Sequence, residues 1–371
     1  SMILALCMLL GLFPYAVLGT AAADSTAEYT VISTADELIA LMGDSARWSG
    51  NYRLGDDIDL TGKTGQARIG DNTTAFTGIF DGNGKTISGI DLTITGSTAV
   101  GFFGVIMNAE ISNLTVAGKV SATGGKNFTG GLVGVISGQA TVENCVSNVT
   151  VTGVSRVGGL VGGIVLNSAT SVGVPVETAA CSVTIKGCVN NSSVAGTSSR
   201  IGGIVGSASI GAAAGRSITI ENCTNNGAVK GTTAVGGVVG YTDPLTSDGV
   251  VTVSGCSNTA TMTGTASAKT WTAGIVGYAA PKNGGVVLVT ECRNDGTIKG
   301  GAQIGGIVGY AYYTGTTVSK CYNTGDVTAT AADAGGILGI AFTGNVDNCI
   351  NTGAVSGTES IGGIVGRTLT D

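Results

Sequence analysis

The chain has 371 residues, of which 64 are glycine, 4 are proline and none is histidine, and its formal net charge is −6. Glycine without a three-residue period excludes collagen, and 43% hydrophobic residues exclude a disordered chain. The lack of histidine excludes a Ser-His-Asp triad, a Cys-His pair and a histidine-containing zinc site, and the lack of a basic stripe argues against a nucleic-acid partner.

Residues 1–23 predict a secretory signal peptide. The stretch from Met2 to Gly19 is almost wholly apolar and leads into Ala21-Ala22-Ala23, an order typical of a signal peptide cut after its last small residue. An uncleaved membrane anchor is the alternative, because an apolar run of about 18 residues can span a bilayer. No basic residue precedes the apolar run and Ser1 is not a start residue, so we expect an N-terminal truncation.

Residues 24–60 predict a cap made of a strand and a short helix. Tyr29 to Ile32 is rich in strand formers, and Thr34-Ala35-Asp36-Glu37 fits a capping box at a helix start. Four apolar residues would form the buried side of this helix: Leu38, Ile39, Leu41 and Met42. Such a cap would close the open end of a sheet against aggregation.

Residues 61–129 predict irregular early coils, and residues 130–371 repeat one motif that we expect to continue beyond Asp371. The motif reads Cys-x-Asn-x-Gly-x-Val-x-Gly, as at Cys349 to Gly357, and then Gly-Gly-Ile-Val-Gly, as at Gly362 to Gly366. The segment from Cys to the last Gly keeps nearly one length in most copies, whereas the segment to the next Cys varies. Stacked strands of matched length with loops on one edge are typical of a solenoid.

The alternation within the motif predicts the fold. Cys, Asn and Val occupy alternate positions, with Thr, Ser and Ala between them, which is typical of a half-buried strand. We therefore predict an all-β, right-handed parallel β-helix with coils of about 28 residues. Equivalent asparagines such as Asn294, Asn323 and Asn351 would form a hydrogen-bonded ladder. The glycine pairs would turn corners with positive φ and allow close approach to the next coil.

The cysteines predict a second ladder rather than disulfides. Stacked cysteines point the same way, which is poor geometry for a bridge and for a tetrahedral metal site, so we expect buried thiols and no cofactor or metal. Cys181 and Cys188 are the one pair that could be bridged in an exported protein. The ladder positions are Cys223, Cys256, Cys292, Cys321 and Cys349.

Two groups of residues are candidates for function. Tyr241, Tyr278 and Tyr310 each follow the last Gly of consecutive motifs, so they should align as a stripe that either stabilises the stack or binds sugars or proteins. Trp271, Tyr312 and Tyr313 would broaden it. An acidic cluster in the early coils would, if it converged with Lys85, suggest a polysaccharide-degrading enzyme, but turns explain it more simply. Its members are Asp56, Asp57, Asp59 and Asp81.

The repeat resembles the GLUG motif of bacterial surface proteins, including adhesins and the N-terminal part of M26-type immunoglobulin A1 peptidases. The segment Phe76 to Ile87 also matches the start of such arrays, and the resemblance spans roughly residues 30 to 366. It implies architecture rather than catalysis, because the zinc-binding His-Glu-x-x-His helix of those peptidases has no counterpart in a sequence without histidine.

We therefore expect a secreted or cell-surface, non-catalytic structural or adhesion module. Its partners would be host or community surface glycans or proteins, and the mature module would not insert into a membrane. Two alternatives stay open: the non-catalytic arm of a larger surface peptidase, and a β-helix enzyme that degrades polysaccharides.

Overall fold

The computed structural model describes residues 28–125, 128–166, 173–177, 179–265, 270–342 and 345–369. These residues form a parallel β-solenoid in which successive coils add strands to four sheets. Equivalent strands of neighbouring coils pair in parallel and in register. The prediction of an all-β parallel β-helix is confirmed. The predicted signal peptide lies outside the described residues.

Two of the sheets flank the repeat cysteine. Sheet 1 precedes it, and its 11 strands are Thr30–Ile32, Tyr52–Leu54, Ile79–Asp81, Ala109–Ser112, Ala140–Glu143, Ser182–Lys186, Ser217–Glu221, Val250–Ser254, Val286–Thr290, Thr316–Ser319 and Asn345–Asp347. Sheet 2 follows it, and its 16 strands are Ile58–Asp59, Thr86–Thr95, Thr115–Thr123, Val146–Gly153, Val189–Asn190, Val194–Gly196, Thr224–Asn225, Val229–Gly231, Ser257–Asn258, Met262–Gly264, Arg293–Asn294, Ile298–Gly300, Tyr322–Asn323, Val327–Ala329, Ile350–Asn351 and Val355–Ser356.

The other two sheets flank the glycine pair. Sheet 3 runs up to its first glycine, and its 9 strands are Ala99–Val100, Phe128–Gly130, Val157–Gly158, Ser199–Gly202, Thr233–Gly236, Thr272–Ala273, Ile304–Gly305, Ala332–Gly335 and Glu359–Gly362. Sheet 4 follows the pair, and its 9 strands are Phe103–Ile106, Val133–Ile136, Val161–Leu166, Val205–Ile210, Val239–Pro244, Val276–Ala279, Val308–Ala311, Leu338–Ala341 and Val365–Thr368. Loops of variable length join sheet 4 to sheet 1 of the next coil.

A short helix with a capping box follows the first strand. Helix α1 spans Ala35–Met42, and the side chain of Thr34 accepts a hydrogen bond from Glu37 N while the Glu37 carboxylate accepts one from Thr34 N. A 3₁₀ turn, Ser45–Arg47, follows, and Trp48 Nε1 donates to the Leu41 carbonyl at 2.9 Å. Leu38, Leu41 and Met42 are buried in the same core as the coils. The helix therefore covers the first coil with apolar side chains.

The early coils differ from the later ones in what fills them. Phe76, Phe80, Phe102 and Phe103 are fully buried, and the ring centroids of neighbouring pairs lie 5.1 to 6.5 Å apart. Later coils carry Val, Ile and Cys at their interior positions. Bulky rings replace these aliphatic rungs, which explains why the repeat motif is hard to recognise in this part of the sequence.

A ladder of asparagines runs through the interior beside sheet 2. Each Nδ2 donates to the carbonyl two residues further along its own chain, and all but the last also donate to Oδ1 of the asparagine in the next coil at 2.7 or 2.8 Å. The ladder consists of Asn190, Asn225, Asn258, Asn294, Asn323 and Asn351, and all but the last are fully buried. Consecutive members are 28 to 36 residues apart, so the predicted coil of about 28 residues fits only the shortest coils.

The glycine pairs allow close approach between coils but do not adopt the predicted positive φ. The pair Gly202-Gly203 does not adopt positive φ, whereas the residue before the cysteine does, as in Asn222 (53°) and Gly255 (60°). A Cβ on Gly203 would overlap the Gly237 carbonyl and the Asn225 side-chain amide. The prediction of positive φ at the pair is wrong, and close approach between coils is what requires glycine there.

Substitution of Gly203 by Ala should therefore destabilise the solenoid by at least about 2 kcal/mol, because a methyl group would push apart two coils and a ladder amide. Gly363 is the matched control, since it occupies the same motif position in the last described coil and a Cβ there meets nothing within 4 Å. Urea unfolding should separate Gly203→Ala from Gly363→Ala, which should change stability by no more than about 0.5 kcal/mol. Equal effects of the two substitutions would contradict this packing explanation.

Loss of one ladder amide should also destabilise the stack. Replacing Asn294 with Ala leaves the Nδ2 of Asn258 and the Oδ1 of Asn323 without their ladder partner. Buried polar groups left unpaired cost about 1–3 kcal/mol each, so we expect a loss of about 2–5 kcal/mol in urea unfolding. Asn226 bonds to Asn191 and Thr259 in an exposed row, and Asn226→Ala should cost under about 1 kcal/mol. Similar losses in both variants would rule out a special role for the buried ladder.

Candidate functional site

The three tyrosines lie next to one another on the outer side of sheet 4. Tyr241 pairs in register with Tyr278, and Tyr278 with Tyr310. Their ring centroids are 5.3 Å apart at each step. The residues that directly follow the tyrosines, Thr242, Ala279 and Ala311, are fully buried, so strand alternation turns the tyrosines outward, where they are half-buried.

Further aromatic side chains extend this row. The Trp271 ring lies 4.5 Å from Tyr278 and 6.2 Å from Tyr310, measured between centroids. Tyr312 lies 5.3 Å from Tyr310 and 4.0 Å from Tyr313. The structure thus brings together all six aromatic residues that the sequence singled out, at the border of sheets 3 and 4 and the loop that follows.

Trp271 reaches the tyrosines because of an unusual backbone position in sheet 3. It has a φ of 44°, and residues at the equivalent position of other coils share this left-handed conformation. Residues other than glycine, asparagine and aspartate rarely adopt this left-handed backbone conformation. The residues at this position form a column beside the outer row of sheet 4. Together with Trp271 they are Arg156, Arg200, Ala234, Gln303, Asp333 and Ser360.

Two arginines of this column extend the aromatic row toward the N-terminus. The Arg200 Cζ lies 4.2 Å from the centroid of the Tyr241 ring, and the Arg156 Cζ lies 4.7 Å from that of Phe128. Cation–π contacts of this kind stabilise an arginine by about 0.5–2 kcal/mol. We call the surface formed by Arg156, Arg200, Tyr241, Trp271, Tyr278 and Tyr310 the aromatic–cationic face.

A carboxylate lies beside the two arginines. Asp243 follows Tyr241 on the outer side of the same strand, and burial raises its pKa to about 6 although Ser209, Arg200, Lys282 and Arg156 each act to lower it. Burial, and next the charge of Asp243, raise the pKa of Tyr241 to about 12. The site therefore combines partly buried side chains with charged groups.

The sequence did not predict a role for the arginines or Asp243, because these residues are not part of the repeat motif. Arg156 and Arg200 each stand one residue before the apolar residue that precedes Gly-Gly, a position held by Ala, Trp, Gln, Asp or Ser in other coils. The only available signal was that two consecutive coils carry arginine there, next to a motif that supplies tyrosines one coil later.

The cysteines stack where sheet 1 turns into sheet 2. In each of seven coils the Sγ lies 3.2 or 3.3 Å from the carbonyl two residues earlier and 3.5 to 3.7 Å from a carbonyl of the preceding coil. All eight described cysteines are free thiols, Cys181 and Cys188 included. Hydrogen bonds with the thiols of Cys223 and Cys292, together with burial, raise the pKa of Cys256 well above its usual value. A protonated, buried thiol is a poor nucleophile.

The acidic residues of the early coils hold turns. Asp57 accepts a hydrogen bond from Thr86 N, and Asp59 accepts one from Thr61 N. Asp81 pairs with Arg53 at 2.8 Å and also accepts from Asn83 N, and Asp56 is exposed. Among the described residues, no group of three or more Cys, Asp or Glu is placed to hold a metal ion.

Comparisons with known proteins support the architecture. Residues 300–328 match the GLUG motif family. Over 153 residues the chain is 35% identical to halomucin of Haloquadratum walsbyi, a match that covers 38% of this chain and 2% of halomucin. Over 91 residues it is 36% identical to a protein of Evansella cellulosilytica named "Putative Gly-rich membrane protein", covering 23% of this chain and 10% of that protein. The matched parts thus span only a small fraction of both relatives.

A solved structure shares the fold. It is described as a "putative immunoglobulin A1 protease" from Bacteroides ovatus, and it superposes with a TM-score of 0.55 at 19% identity over 90% of this chain and 85% of that one. At this identity the likeness concerns the fold alone. No helix among the described residues has the length and apolar character needed to cross a membrane. The chain thus contains a match to the GLUG motif within a parallel β-solenoid fold.

Proposed function

We propose that the chain is a non-catalytic, extracellular module of a bacterial cell-surface protein, which forms a stiff rod and presents the aromatic–cationic face to glycans or proteins of a host or of neighbouring cells. The aromatic–cationic face is the observation that carries this proposal. Six residues from several coils converge on one side of the stack, and half-exposed tyrosine and tryptophan rings are common in binding surfaces.

The interior supports the idea of a rod. One continuous apolar core extends from Ile32 in the first strand to Ala341 near the other end, where the partly buried Val365 packs against it. Each coil is joined to the next by parallel strand pairs and by ladder hydrogen bonds. A repeat stack without a break in its core transmits force along its axis and holds its outer side chains at fixed distances.

The environment of the acidic residues favours a non-catalytic role. Asp57, Asp59 and Asp81 already accept hydrogen bonds from the backbone of neighbouring turns. A glycosidase or lyase requires carboxylates that converge on one substrate bond. The likeness to the Bacteroides ovatus structure favours one second candidate, the non-catalytic arm of a larger surface peptidase, which would use the same rod as a spacer.

Replacing Tyr278 with Ala should weaken binding of the immobilised chain to glycans, secreted proteins or intact cells by tenfold or more, an effect of about 1.4 kcal/mol. Tyr278 is central in the face, since its ring contacts Tyr241, Trp271 and Tyr310. Tyr322 is the matched control, because it lies on sheet 2 under Arg293, away from the face.

Array and cell-binding measurements on the wild type, Tyr278→Ala and Tyr322→Ala would decide the matter, with circular dichroism to show that each variant is folded. Loss of binding in Tyr278→Ala with retention in Tyr322→Ala supports the proposal. Unchanged binding by folded Tyr278→Ala would remove the face from the function.

A further inference from the structure

We propose that the end of the aromatic–cationic face formed by Arg156, Arg200 and Tyr241 binds a saccharide that carries a carboxylate group. The two guanidinium groups hold the carboxylate, and the rings of Tyr241 and Tyr278 support the sugar ring. This inference rests on the proposed binding function and specifies the chemistry of its ligand.

The first argument is the placement of two like charges side by side. Arg156 and Arg200 precede Val157 and Ile201, which pair directly between neighbouring coils. Burial lowers the pKa of Arg156, and the charge of Arg200 lowers it further. Two half-buried cations one coil apart repel each other, and this occurs in a chain whose formal net charge is −6. An anion bound between them would relieve that repulsion.

The second argument is that the protein neutralises this positive charge only in part. Asp243 is the carboxylate whose charge acts on both arginines, and the positive charge of Lys282 acts on Asp243 as well. No salt bridge within the described residues joins either arginine to a carboxylate. Arginine forms strong bidentate hydrogen bonds with carboxylates, so a carboxylate ligand fits the unmatched charge.

The third argument concerns the other groups that the ligand must carry. Oδ1 of Asp243 is buried and accepts no hydrogen bond from the described residues. Trp271 Nε1, near Tyr278, is likewise buried and has no acceptor among them. A buried polar atom is stabilised when a ligand pairs with it. Sugar hydroxyl groups both donate and accept, and so can pair with an unpartnered acceptor and an unpartnered donor along one row of rings.

An acidic peptide fits the face less well. Extended peptides bind to sheets by adding a strand to a free edge. The strand Val239–Pro244 is paired on both sides, with Val205–Ile210 and Val276–Ala279, so its backbone offers no free edge. The face presents ring surfaces and side-chain polar groups, which favours a flat, hydroxyl-rich ligand.

The test is a calorimetric titration of the full chain with three probes: a trimer of galacturonic acid, the neutral trimer of galactose, and triglutamate. We expect the acidic sugar to bind at least tenfold more tightly than either of the others. Arg200→Gln should remove most of that preference. Arg293→Gln is the matched control, because Arg293 also stacks over a tyrosine but lies on sheet 2 beside Asp295; it should bind like the wild type.

The outcomes separate this inference from the proposed function. If both sugars bind equally and Tyr278→Ala weakens both, the face is a binding site but its acidic selectivity is refuted. Tighter binding of triglutamate would assign the face to acidic peptides instead. The inference would also be overturned if none of the three probes binds, or if Arg200→Gln and Arg293→Gln have equal effects.

The affinity for galacturonic acid should rise as the pH falls from 7 to 5. Asp243, whose pKa lies at about 6, competes with the ligand for Arg156 and Arg200. Ser209, Lys282 and Tyr241 also face Asp243. Protonation removes its negative charge, while a sugar carboxylate with a pKa of roughly 3.5 stays ionised. We expect a gain of roughly tenfold in the wild type. Asp243→Asn should bind with the higher affinity at both pH values, and a wild-type-like pH dependence of this variant would assign the titration to another group.

Discussion

The fold depends on one requirement: every buried side-chain amide of a coil must find its partner in the coils above and below. Asn258 receives a hydrogen bond from Asn225 and donates one to Asn294, and each amide also bonds to a carbonyl of its own chain. A coil shifted by one residue would turn these amides outward and place Thr or Ser side chains in the interior. The ladder therefore fixes the register, and glycine is required beside it because the next coil passes too close for a Cβ.

The same register creates the candidate binding face. Because Asn225, Asn258 and Asn294 stay aligned, the outward positions of sheet 4 stay aligned as well, and Tyr241, Tyr278 and Tyr310 fall into one row. The left-handed position of sheet 3 supplies a second, parallel column with Arg200 and Trp271. A face assembled from single residues of several coils is held by the stack rather than by a loop, which keeps its geometry rigid before a ligand arrives.

The sequence carries more information about the interior than about the surface. Cys, Asn and Gly recur because each has a fixed neighbour in the next coil, so the repeat predicts the parallel stack and the alignment of the tyrosines. The left-handed column escapes such reasoning, because Arg156, Trp271 and Gln303 share a backbone conformation but no side-chain chemistry. The same holds for the glycine pair: sequence indicates that glycine is needed, but only the distance to Gly237 and Asn225 shows that contact between coils is the reason.

The most direct test of this account is hydrogen exchange of the asparagine side-chain amides, followed by NMR on the folded protein. If the buried ladder fixes the register, the Nδ2 protons of Asn225, Asn258 and Asn294 should exchange as slowly as the backbone amides of the strands that carry them. Asn226, whose amide bonds to Asn191 in an exposed position, should exchange far faster. Exchange of the ladder amides at the rate of Asn226 would contradict the account.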